Sequence, residues 1–188
     1  DRPQQLDEHQ GWAEECARAI AKRIGLDKQS EDVLALAARL HDEGKRAARW
    51  QRAFKAPPDG RPYAKTRGPI NFDILDGYRH ELGSLSYVEE HNEFKKLPAE
   101  QKEFVLHLIA AHHGYARPVI GTSGCDDAPP SIVDERAREV ALRFAHLSRR
   151  WGPWGLAWWE AMLRAADQAA SRRNQQAAAS SGQQERVR

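Results

Sequence analysis

Residues of two kinds, spread over most of the chain, have the chemistry to hold metal ions together: His9, the adjacent pair His41-Asp42, His80, the doublet His112-His113, and Asp167. Imidazole nitrogen favours transition metals, and a carboxylate can bridge two cations while offsetting their charge. Histidines in such excess over aspartates point to Mn, Fe, Co or Ni rather than a purely oxygen-ligated Mg site; Zn too is ranked behind these four. Two such ions, about 3.5–4 Å apart, could deprotonate a bridging water, polarise a phosphate and stabilise a leaving oxygen. His41 and Asp42 differ by about 100° of helical rotation. Both can therefore reach one two-metal site, one to each ion or with Asp42 bridging. Lys45, one turn past His41, is placed to contact a phosphate oxygen as charge builds up.

Most of these residues mark a helix end or stand beside a helix-stopping glycine, and helix ends around a common core can converge on one pocket. The elements that must position them read as helices. Trp12, Cys16, Ile20 and Ile24 recur at helical spacing from about Glu8 to Ile24, with Gly25 as a stop. Ser30 is the expected N-cap of a second helix carrying Val33, Leu34, Leu36, Ala37 and Leu40 and ending near Gly44. A short helix through Trp50 and Phe54 follows. Further helical patterns cover His80–His91, Pro98–His113, Ser131–Arg150 and Pro153–Gln176. Two segments rich in proline and glycine, Lys55–Arg79 and Gly114–Pro130, read as long surface loops. No strand is expected. The fold class is all-α, a helical bundle of roughly six to eight helices with two long loops. Residues 1–176 form the expected domain, and 177–188 a polar tail of Ala, Ser, Gln and Arg that frays.

The bulk numbers agree with one globular domain: 188 residues, 40% hydrophobic and 30% charged. A net charge of +2 does not announce nucleic acid, so binding to a polyanion has to come from local patches or bound metal. Cys16 and Cys125 lack the spacing of a disulfide framework or a zinc ribbon, which fits a reducing cytoplasm. No run approaches the ~20 apolar residues of a membrane span, and the polar, acidic start has no signal-peptide pattern. The chain opens on Asp1 rather than methionine, as a domain excised from something longer or a processed chain would.

The motif LHDEGK at Leu40–Lys45 resembles the signature of the HD superfamily. AAHHG at Ala110–Gly114 narrows the likeness to the nuclease domain of the CRISPR-associated helicase-nuclease of type I interference systems. The order of the other pieces agrees: a leading His9, RHE at Arg79–Glu81, and RAADQAAS at Arg164–Ser171. The resemblance spans His9 to Ser171 and implies a metal-dependent nuclease with an HD-domain bundle. It implies that His41, Asp42, His80, His112, His113 and Asp167 are ligands of two divalent transition-metal ions, with His9 as a seventh and Lys45 as the phosphate-contacting lysine. On this reading Asp42 bridges the ions. His41 and Asp167, completed by His9, hold one, and His80, His112 and His113 hold the other. Glu43 departs from the pattern, since that slot is more often apolar. The resemblance also implies single-stranded DNA as substrate, a helicase (fused or separate) and the CRISPR surveillance complex as partners, and a chain that is itself monomeric. No GxxxxGK[ST] motif for an ATP-driven motor is present.

The rival readings are an HD-type nucleotide phosphohydrolase or cyclic-dinucleotide phosphodiesterase, and a catalytically silent metal-bound docking module. Three histidines stay outside the set. His107, about 140° round the helix from His112, should face away; His91 sits in a polar helix end; His146 reads as packed or exposed. Trp151, Trp154 and Trp158, at helical spacing, read as a core stripe rather than a base-stacking platform. Arg46, Arg49, Arg52 and Lys55 follow Lys45 and have the spacing either to track a DNA backbone or to form a solvated face. Tyr63, Lys65 and Arg67 lie in the first loop, either lining a strand channel or free in solvent.

Overall fold

A computed structural model describes residues 3–114, 116 and 129–186. Their architecture is an all-α bundle: α1 (Leu6–Arg23), α2 (Lys28–Leu40), α3 (Ala48–Ala53), α4 (Phe72–Leu75), α5 (His80–Glu90), α6 (Asn92–Lys95), α7 (Ala99–Ala111) and α8 (Pro130–Arg186), with a 3-10 turn over Glu43–Arg46.

The core follows from small residues on one helix and large ones on its neighbours. α1 turns Ala13, Ala17 and Ala21 inward at intervals of four, which lets it lie close along α2 and α8. α7 is different: every residue from Phe104 to Ala111 is buried, because α2, α5 and α8 pack round it. A helix buried on all sides needs no polar face. Where it emerges it delivers His112 as its C-cap and His113 beyond, with Gly114 at φ 83° closing the turn. α2 starts earlier than expected. Asp27, not Ser30, is its N-cap, and one carboxylate takes both the Ser30 N–H at 2.9 Å and the Ser30 hydroxyl at 2.8 Å.

α8 is two helical segments meeting at Gly152, whose φ of 69° and ψ of 162° are non-helical and which Pro153 follows. That break also corrects the tryptophan stripe. Spacing of three and seven keeps residues on one face only in an unbroken helix. Here Trp151 stacks on Phe104 at 5.4 Å, Trp154 is 87% exposed, Trp158 is half exposed, and Trp159 takes the core position.

The first loop is more ordered than its composition suggests. It contains α4, capped by the Asn71 side chain, and a strand, β2 (Tyr63–Lys65), antiparallel to β1 (Gln4–Gln5). The pairing was not expected, because two or three residues carry no readable alternation. The second loop lies mostly outside the described residues. Among the described residues, no helix is long and apolar enough to cross a membrane.

Candidate metal centre

α1, the C-terminal end of α2, the start of α5, the end of α7 and the second segment of α8 converge, and each brings part of one polar cluster into an otherwise apolar core. α1 supplies His9, α2 and its exit supply His41 and Asp42, α5 opens on His80, α7 ends at His112-His113, and α8 contributes Asp167. His9, His41, Asp42 and His112 are fully buried.

Two triads can be drawn whose donor atoms all lie within 4.8 Å of one another: His9, His41 and Asp167, and His80, His112 and His113. Asp42 stands between them. Its Oδ2 faces the first, 3.4 Å from both His9 Nε2 and His41 Nε2. Its Oδ1 faces the second, 3.1 Å from His80 Nε2 and 3.9 Å from His112 Nε2. Asp167 Oδ1 is 3.1 Å from His9 Nε2 and 3.6 Å from His41 Nε2. His80 and His113 bring their Nε2 atoms to 3.0 Å. A third grouping, His41, Asp42 and His112, straddles the two.

Backbone carbonyls orient two of the rings. His41 Nδ1 lies 2.7 Å from Ala38 O and His112 Nδ1 lies 2.6 Å from Ile109 O. A carbonyl only accepts, so both Nδ1 atoms must be protonated and donate, and in the neutral ring the Nε2 lone pair faces the cluster. Those two Nε2 atoms are buried and have no hydrogen-bond partner. Orphaned buried nitrogens aimed at carboxylates fit a site built for cations.

The electrostatics agree. Burial holds His9, His112 and His113 below the ordinary histidine value, with neighbouring imidazoles adding to the effect on His112 and His113. Burial disfavours charge on His41 too, but Asp42 and Asp167 outweigh it and push its pKa up to about 10. Both carboxylates stay well below their usual range despite burial: Asp42 chiefly through His41 and Lys45, Asp167 through His41 and His9. The two anions thus draw positive charge into the centre, where the neutral imidazoles of His9, His112 and His113 stand ready to coordinate it.

Lys45 Nζ reaches Asp42 Oδ2 at 2.6 Å and lies over the buried Trp50 ring, 5.5 Å from its centroid. Trp50 also packs 4.5 Å from the His80 ring. Glu43, the departure from the expected motif, accepts from Gln10 Nε2 at 3.0 Å and Arg46 Nε at 2.6 Å, tying the 3-10 turn to α1. His107 is kept out of the cluster, as its spacing requires, and pairs in the core with Glu160 at 2.8 Å. His91 caps α6, accepting from Glu93 N–H.

Sequence reasoning missed Ser84. Its buried Oγ accepts the Gly44 N–H at 2.8 Å and lies 2.8 Å from the carbonyls of both His41 and His80, to one of which it donates. One hydroxyl thus joins the His41-Asp42 turn to the first turn of α5. Its position four residues after His80, on the same helix face, was the available signal. Ser84→Ala leaves the buried Gly44 N–H unsatisfied and is expected to lower the unfolding free energy by about 1–3 kcal/mol. Urea denaturation of the two proteins measures it, and an unchanged midpoint would show that the staple contributes nothing.

Against known families, residues 7–187 match the model described as Cas3, HD domain. No curated protein and no solved structure matches the chain.

Proposed function

Because the chain belongs to the Cas3 HD-domain family, we propose that it hydrolyses phosphodiester bonds in single-stranded DNA with two divalent transition-metal ions. The family makes it an HD-domain enzyme by class, and the clustered histidines and aspartates are its candidate catalytic centre. The observation that carries the reading is the division of the donors into two triads with Asp42 between them, one oxygen toward each.

In this assignment His9, His41 and Asp167 would hold one ion, His80, His112 and His113 would hold the other, and Asp42 would be the ligand shared between them. Two cations so held would supply Lewis acidity toward the phosphate and would lower the pKa of the attacking water. The nitrogen-rich donor set favours a transition metal over Mg, and Mn, Co, Ni or Fe are proposed ahead of Zn. Lys45 is held by Asp42 and braced by Trp50, so its ammonium meets a phosphate oxygen without first being ordered. The family context supplies the proposed partners: a helicase, fused or separate, and the CRISPR surveillance complex that delivers the strand.

The test is cleavage of labelled circular single-stranded DNA by metal-stripped protein, restored in turn with Mn, Co, Ni, Fe, Mg and Zn. Linearisation that returns with the first four metals is expected, and it would establish internal cutting. An intact circle under every metal, with turnover of nucleotides instead, would replace the nuclease by an HD nucleotide phosphohydrolase.

A further inference from the structure

One cation beside the centre has no part in the assignment above. Lys65 ends β2, and this strand is held from two sides. On one side it pairs with β1 in the register Gln4↔Lys65, and the Leu6 N–H donates to Pro62 O at 2.9 Å. β1 runs straight into α1 and so to His9. On the other side Gln51 grips the strand. Its amide oxygen accepts the Tyr63 N–H at 2.9 Å, and its amide nitrogen donates to Tyr63 O at 3.0 Å and to Lys45 O at 2.6 Å. One side chain therefore fastens the strand that carries Lys65 to the backbone of Lys45.

This double attachment brings Lys65 within electrostatic reach of Lys45, Asp42 and Asp167. The side chain is half-buried; burial, and next the like charge of Lys45, lower its pKa. Among the described residues its ammonium makes no hydrogen bond or ion pair. Both carboxylates are already engaged: Lys45 holds Asp42 Oδ2 at 2.6 Å, and Asp167 Oδ1 lies 3.1 Å from His9 Nε2. Two lysines whose backbone segments one glutamine ties together, the second half-buried and without a hydrogen bond or ion pair among the described residues, form an arrangement that an anion between them would stabilise.

We propose that Lys65 is a second phosphate-binding cation of the centre, contacting a non-bridging oxygen of the phosphodiester presented to the two triads. The proposal rests on the phosphodiesterase reading of that centre. It gives the β1–β2 pairing a purpose, since two strands this short contribute little to stability by themselves.

The experiment compares wild type, Lys65→Met, which keeps the aliphatic stem, and Lys65→Arg. Inorganic phosphate binding to the Mn-loaded proteins is followed by calorimetry, metal content is measured on the same samples, and single-stranded DNA cleavage is followed across a salt series. Lys65→Met is expected to keep wild-type metal content, to bind phosphate about tenfold more weakly, and to lose between about tenfold and a hundredfold in kcat/KM. Its log–log salt slope should fall by about 0.7, the contribution of one phosphate contact on a single strand. Lys65→Arg should recover most of the loss. Unchanged phosphate affinity and salt slope in Lys65→Met would overturn the assignment while leaving the nuclease reading untouched. Wild type that binds phosphate through Lys65 but cuts no DNA would do the reverse. If phosphate binds too weakly to measure in wild type, the salt slope decides.

Discussion

Asp42→Asn protein, loaded under the same conditions as wild type, is expected to cleave single-stranded DNA at least about a thousandfold more slowly, equivalent to about 4 kcal/mol of transition-state stabilisation. The substitution keeps the side-chain volume, so the helices around it keep their packing. What it removes is the charge between the triads. Asp42 Oδ2 faces His9, His41 and Lys45, and Oδ1 faces His80 and His112. An amide must turn N–H groups toward one of those sets and can bridge nothing. Two divalent ions would then have Asp167 as their sole anionic partner among the assigned ligands. Bound metal, measured by elemental analysis, should fall from two ions per chain to one or fewer, with the circular-dichroism helix signal retained. Full metal content together with a wild-type rate would show that Asp42 is not the bridge.

Gly44→Ala is expected to cost about 3 kcal/mol or more in stability and to weaken metal binding as well. The backbone of Gly44 is one that alanine adopts freely, so the penalty is one of space. A Cβ there would overlap the His80 carbonyl oxygen and come within 2.7 Å of Ser84 N. Both are backbone atoms of α5, so no side-chain rotation makes room and the helix itself must move. His80 moves with it, as do the Ser84 contacts and the Tyr78 hydroxyl that donates to Gly44 O at 2.7 Å. Thermal denaturation with and without Mn separates the two effects. Gly11→Ala is the control: a Cβ there meets nothing within 4 Å, and in the interior of α1 it should stabilise by up to about 1 kcal/mol. A Gly44→Ala protein as stable as wild type would mean that α5 is free to shift.

The sequence made the ends of helices legible and left the ties between them hidden. His41-Asp42 and His112-His113 stand out because each follows an apolar helical run and precedes a glycine, and the break at Gly152-Pro153 is read from composition alone. Ser84 and Gln51 were not found, because what they join lies close in space and not in sequence: Gly44 is 40 positions from Ser84, and Tyr63 is 12 from Gln51. The β1–β2 pairing escaped for the same reason, since Gln4 and Gln5 have no strand pattern of their own. The tryptophans show the opposite error. A local period was followed through a position where the backbone restarts its rotation.

The carbonyls of Ala38 and Ile109 belong to the final turns of α2 and α7, where a helix runs short of N–H groups of its own: Ile109 O has the His112 N–H only at 3.5 Å. At these two ends an imidazole Nδ1–H donates to the carbonyl, and in doing so the ring is held to keep its Nδ1 proton. The groups that choose the tautomer are therefore peptide atoms, common to every amino acid. A side-chain scan of the residues around His41 and His112 would pass over them without a signal, and the register of each helix relative to its histidine would be the only trait on which selection could act. Moving either histidine by one position along its helix, with composition unchanged, should abolish the centre as surely as deleting the ring.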